Sequence, residues 1–211
     1  MVRKRVTLVG KITRSPAGLW SKIVAGRILY RGRELKGIAR RAKDIDRATF
    51  RAVFGVKWGP LTSVMRAFTV AGTAGALWGF LAAAAFLLTG LVPSRLLIPW
   101  TAIAASWTLA EGAKYFFDRA RPFIWDTGIA PLIRTPSSSS FPSGHSATAA
   151  AGSLTLSFLY PTLAPVLVIA GLLVVLSRVY LGVHFPFDVL AGVAIGTATS
   201  VLVLVLSELV Q

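Results

Sequence analysis

The chain has no cysteine and only two histidines, His145 and His184. The missing thiols exclude a disulfide framework and thiolate metal sites, and they say nothing about compartment. Two imidazoles alone do not make a His/Cys zinc centre. Acidic residues are scarce as well: 8 Asp and Glu stand against 23 Lys and Arg. No internal repeat is evident. No cleavable signal peptide is expected, because the first apolar stretch, residues 6–10, is too short for a signal's hydrophobic region.

What the chain has in excess is apolar surface and positive charge. Its 211 residues suffice for one domain. With 55% hydrophobic residues and a mean hydropathy of +0.68, it is too apolar for an ordinary soluble domain. The formal charge of +15 is uneven: residues 1–66 hold 17 of the 23 cations, opposed only by Glu34, Asp44 and Asp46. A charge run is a weak nucleic-acid signal. Here apolar spans follow it, so anionic lipid headgroups are the expected partner and nucleic acid is not.

Residues 1–14 read as short, basic and loosely ordered. Ser15 and Pro16 have the residue types of a helix cap and first turn. Across 19–54, apolar residues recur at near-helical spacing (Trp20, Ile23, Val24, Ile28, then Leu35, Ile38, Ala42, Ile45, Val53), with Lys and Arg filling much of the rest. Gly26 and Gly32 are expected to divide this stretch. The pattern describes a basic amphipathic helix lying in the membrane interface, or one packed against the protein's own bundle; both readings stand.

Five strongly apolar stretches follow, at about 67–92, 96–113, 144–160, 163–179 and 187–209. A span needs about 20 residues at 1.5 Å each to cross roughly 30 Å of hydrocarbon. Each stretch meets that, the second and fourth by running into polar motifs. The predicted fold is all-α: a polytopic membrane bundle of five spans. A sixth within 19–60 would have to carry that region's charge across the membrane. The domains are a basic membrane-surface region, 1–60, and a transmembrane domain, 61–211. Residues 121–142, rich in Pro and Ser, form one long connection expected to arch over a site.

Three polar clusters interrupt this apolar half. Residues 114–122 end the second span, 142–145 open the third, and 177–188 join the fourth to the fifth. If the helices alternate in direction, all three emerge on one membrane face. Ionisable groups at membrane depth are costly, so function is the default reading. Lys114, Arg121 and Arg178 are fixed cations suited to phosphate oxygens. Arg119 and Arg134 read instead as span-end cations reaching toward headgroups. Ser143 and Gly144 open a helix, whose free N–H groups favour an anion, and Gly144 lets backbone approach it. His184 and Asp188 are four apart around Pro186. A carboxylate at that spacing can bond one imidazole nitrogen and leave the other free as a nucleophile. Singly, each feature is ordinary: Pro-Ser-Gly starts many helices, and a span-end histidine is commonly a polar anchor. Together they suit phosphate chemistry.

These residues resemble the type 2 phosphatidic acid phosphatase family, whose site pattern is shared with vanadium haloperoxidases and glucose-6-phosphatase. Its first block is Lys, six residues, Arg-Pro, matched by Lys114 and Arg121-Pro122. Its second is Pro-Ser-Gly-His, matched by 142–145. Its third is Ser-Arg, five residues, His, three residues, Asp, matched by Ser177-Arg178, His184 and Asp188. The resemblance covers about 60–211. It implies that His184 attacks phosphorus to form a phosphohistidine, that Asp188 orients it, and that His145 protonates the leaving oxygen and then activates water. Lys114, Arg121, Ser143, Gly144 and Arg178 would hold the phosphoryl oxygens. No metal or other cofactor is implied, since fixed cations take a metal's place.

The expected activity is a membrane lipid-phosphate phosphatase acting on a polyprenyl phosphate or diphosphate, with phosphatidylglycerophosphate or phosphatidate next. A non-catalytic membrane adaptor working through its basic region is the alternative class. The family's oxidative members are soluble and need vanadate, which should inhibit a phosphatase of this kind. With five spans, the basic N-terminal region and the catalytic loops share a side, and only Arg95 lies opposite. The positive-inside rule then puts the site on the cytoplasmic face.

Overall fold

A computed structural model of the chain describes residues 16–209, with side chains from Leu35 onward. The segment 1–14 and Ser15 lie outside the described residues. Within them all regular structure is helical. The α-helices are α1 (Pro16–Gly55), α2 (Gly59–Ala71), α3 (Ala76–Leu88), α4 (Pro93–Ala113), the single turn α5 (Pro122–Trp125), α6 (Gly144–Leu159), α7 (Ala164–Tyr180) and α8 (Pro186–Leu209).

Gly26 and Gly32 do not divide α1. An interior glycine costs about 1 kcal/mol against alanine, too little to end a helix by itself. The described residues divide into two units between Ile45 and Asp46. In the first, Leu35, Ile38 and Ile45 are exposed. In the second, the end of α1 is fixed by one face: Asp46 and Phe50 are buried, and Phe50 packs on Ile129, Val179, Phe185 and Val189.

α8, and α7 together with the 3-10 turn before it (Pro161–Tyr180), are long and apolar enough to cross a membrane. Their exposed side chains include Val166, Ile169, Leu172, Leu202 and Val205, a surface suited to acyl chains. α2 and the stretch 73–88 pass the same test only as a pair, bent by 52°. The sequence read this span as one stretch from about 67. It begins at Gly59 and breaks where Ala74 (φ 49°) and Gly75 (φ 78°) leave helical geometry. Gly75 takes that left-handed conformation at little cost.

α6 runs through the middle of the second unit, packed against α4, α7 and α8. Its sequence explains why. Gly144, Ala147, Ala149, Ala151 and Gly152 are small enough for neighbouring backbones to come close. Its hydroxyls do not need water: Thr148 donates to the carbonyls of Gly144 and His145, and Thr155 to Ala151. Around it Trp78, Ile103, Leu156, Leu167 and Val174 form the main apolar core. This packing fixes α6, whose first residues carry the second polar cluster.

Candidate active site

The three clusters converge. Lys114, Arg121, Gly144, His145, Arg178 and His184 line one chamber of about 260 Å³. Lys114 follows the last turn of α4, Gly144 and His145 are the first residues of α6, and Arg178 lies in the last turn of α7. His184 sits in the short connection from α7 to α8.

His184 is 2% exposed. Arg121 donates from Nη1 to its Nε2 at 3.2 Å. A guanidinium cannot accept, so Nε2 presents its lone pair and the ring proton sits on Nδ1. Nδ1 faces Asp188 Oδ2 at 3.6 Å, which is ion-pair distance but too long for a hydrogen bond. The bond expected from the four-residue spacing is therefore not closed. Asp188 spends its acceptors elsewhere: Oδ2 takes the Ser140 hydroxyl at 2.5 Å and the Phe185 N–H at 2.8 Å, and Oδ1 takes Arg119 Nη1 at 2.6 Å. Burial, then the charges of Arg178, Arg121 and Lys114, hold the His184 pKa well below the ordinary 6.5, so the ring is neutral at neutral pH.

Arg121 is 2% exposed and is positioned by the 121–142 connection: Nε donates to Ser138 O at 2.8 Å, and Nη2 to Ser139 O at 3.2 Å. Two residues of that connection, Pro136 and Ser138, line the chamber. Arg178 donates Nη1 to Thr69 Oγ1, while its buried Nε has no partner. A buried, half-satisfied guanidinium is unusual and marks a place for an acceptor. Ser143 does not line the chamber. Its Oγ caps α6, accepting from the Ser146 N–H at 3.4 Å and the Ser146 hydroxyl at 2.9 Å, and its own N–H donates to Asp188 O at 3.0 Å. A helix leaves its first N–H groups without intrahelical partners, and the first two residues of α6, Gly144 and His145, line the chamber.

Four residues at the site escaped the sequence reading. Glu111 Oε1 lies 2.6 Å from Lys114 Nζ, a pair its three-residue spacing on a helix could have flagged. Arg119, read as a headgroup cation, instead bridges two buried carboxylates, Asp188 and Asp46. Asp46 Oδ1 also accepts the Phe187 N–H at 2.8 Å, tying α1 to the start of α8. Ser140 stood in the serine run, but no local signal singled it out from its neighbours. Among the described residues, no group of three or more His, Asp or Glu is arranged to hold a metal ion.

Comparison with known proteins places this geometry. The family model described as the PAP2 superfamily matches residues 95–210, more than half of the chain. The chain belongs to the PAP2 superfamily. Among its PAP2 relatives, the decaprenylphosphoryl-5-phosphoribose phosphatase of Mycolicibacterium smegmatis is 35% identical over 158 residues, covering 73% of this chain and 83% of that protein. The undecaprenyl-diphosphatase of Sulfolobus acidocaldarius is 39% identical over 95 residues, 44% of this chain and 46% of that one, so the match spans about half of that relative. A crystal structure of a transmembrane PAP2-type phosphatidylglycerolphosphate phosphatase from Bacillus subtilis superposes with a TM-score of 0.68 at 29% identity, covering 81% of this chain and 88% of that one. The match to the PAP2 model begins at Arg95, so Asp46 lies outside it.

Proposed function

We propose that this PAP2 phosphatase is a membrane enzyme that hydrolyses the phosphate ester or anhydride of a polyprenyl lipid through a phosphohistidine. The observation that carries the reading is the unprotonated Nε2 of His184, facing a chamber lined by three cations. Nε2 attacks phosphorus, and the bond from phosphorus to the leaving oxygen breaks. His145 gives that oxygen a proton. Lys114, Arg121, Arg178 and the α6 N-terminal N–H groups stabilise the three equatorial oxygens, which is most of what phosphoryl transfer demands. Arg121 masks Nε2 in the free enzyme; a phosphoryl oxygen is the stronger acceptor and draws the guanidinium away. His145 then takes a proton from water, the water attacks, and the phosphorus–nitrogen bond breaks. Asp188, behind His184, stabilises the charge on the ring. Ser143 serves by capping α6 and orienting the Gly144 amide.

The Bacillus subtilis neighbour's substrate makes phosphatidylglycerophosphate the second candidate. The test is phosphate release by the purified protein in detergent with EDTA, using a polyprenyl diphosphate, phosphatidylglycerophosphate and phosphatidate. Wild type is expected to release phosphate and His184→Ala to fall at least about a thousandfold. Equal release by both proteins would sink the phosphohistidine. Silence on every lipid would favour the adaptor reading.

The bent α2–α3 pair, α4, α6, α7 and α8 make five passes in this proposal, with the basic residues 1–60 at the headgroups of anionic lipids. The excess of Lys and Arg before the first pass then puts the site on the cytoplasmic face. A cysteine replacing Ser138, on the connection over the site, tests this. Labelling by an impermeant thiol reagent in intact cells would overturn it.

A further inference from the structure

Two chambers meet at His145 and Arg178. The inner one is the site described above. The outer one, about 740 Å³, shares Thr73, Pro136, His145 and Arg178 with it and adds Arg66 and Arg134. The rest of its wall includes Val70, Leu132 and Ile133, so it is apolar apart from its arginines and a few hydroxyls.

The mechanism gives the two chambers different contents. The transferred phosphoryl group occupies the inner one. His145, which meets the leaving oxygen, lines both. What departs therefore extends into the outer chamber. An alcohol leaving group has no use for positive charge there, yet two guanidiniums face that space. Neither Arg66 nor Arg134 pairs with a carboxylate among the described residues. Arg66 is held in place: its Nε donates to Leu132 O at 2.9 Å. One planar edge is thereby tied to the 121–142 connection, and the Nη groups stay available for an oxyanion.

We propose that Arg66 and Arg134 form a subsite for a second phosphate, the one on the leaving group, and that the enzyme prefers a lipid diphosphate to the monophosphate of the same tail. This rests on the phosphatase reading above and deepens it. The chemistry balances. His184 Nε2 bonds to the terminal phosphorus, and the bond from that phosphorus to the bridging oxygen breaks. The bridging oxygen leaves on the lipid monophosphate, and water later frees inorganic phosphate from His184. The departing monophosphate is a stable anion at neutral pH, its second ionisation lying at about 6. It needs the proton of His145 far less than an alkoxide would.

The experiment measures kcat/KM in detergent with EDTA on a polyprenyl diphosphate and on the monophosphate of the same tail. Arg66→Gln and Arg134→Gln are each expected to lose about tenfold on the diphosphate, the worth of one charge-assisted bond, and to stay near wild type on the monophosphate. Monophosphate turnover also verifies that each variant is folded. Arg66→Lys, which keeps the charge, should keep most of the preference. His145→Gln should lose at least about tenfold more on the monophosphate than on the diphosphate. Equal losses on both substrates in the arginine variants, or no loss on the diphosphate, would overturn the subsite and leave the phosphatase standing. A wild type silent on both lipids would overturn both.

Discussion

At the scale of single residues, His184 sits between a cation that fixes its tautomer and a carboxylate that waits for its charge. A ring buried neutral binds fewer protons folded than unfolded. Its contribution to stability is therefore complete above the unfolded value near 6.5 and is lost as pH falls through the depressed folded value. Because the chain has two histidines, imidazole NMR of His145→Gln reports His184 alone. We expect no titration of that signal between pH 6 and 7, and an upward move of its pKa in Arg121→Gln, which removes one opposing charge. A midpoint at 6.5 in the His145→Gln protein would refute the arrangement.

Arg119 makes a second residue-scale prediction. It joins the buried Asp46 and Asp188, so Arg119→Gln strands two carboxylates and should cost on the order of 3 kcal/mol. Unfolding in detergent and phosphate release should fall together. Asp46→Asn keeps an acceptor for the Phe187 N–H and should cost less. The three motif blocks were legible from spacing, because their members are chain neighbours at helix ends that the packing brings to one chamber. The Arg119 bridge was not, since Asp46 lies 73 residues away and only the packed fold brings it close.

At the scale of elements, α6 and α8 approach so closely that a Cβ at Gly192 would run into the Ser143 carbonyl, and one at Gly196 into the Ala147 carbonyl. Both obstacles are backbone, so neither can swing aside. Gly192→Leu should displace Ser143, hence the cap of α6 and the Asp188 carbonyl that accepts its N–H, and abolish phosphate release. Gly192→Ala, with a smaller overlap, should keep a few per cent. Gly112, where a Cβ would meet open space, should accept alanine without loss. Hydropathy located the later helices to within a few residues. It missed the break between α2 and α3, because a run of small residues reads the same whether it continues a helix or turns at Gly75.

At the scale of the whole molecule, the charge asymmetry was plain in the sequence, but the join was not: compactness changes after Ile45, whereas hydropathy changes after about residue 60. The difference is the last turns of α1, basic in composition yet buried along Asp46 and Phe50. Deleting residues 2–40 should therefore preserve phosphate release, whereas deleting 2–60 should abolish it. Full activity in the longer deletion would mean that Asp46 holds nothing the reaction needs.

The outer chamber's apolar wall also changes how the enzyme must be assayed. On the function proposed above, a lipid substrate that reaches His145 past Val70 and Ile133 comes from the surrounding micelle, so the enzyme counts molecules per unit of surface. Velocity should follow the mole fraction of substrate in the micelle, and adding detergent at fixed bulk concentration should slow the reaction as surface dilution. The lipid product remains in that surface and competes for re-entry, while inorganic phosphate escapes to water. Inhibition by the lipid product should accordingly deepen as micelles become fewer and more crowded.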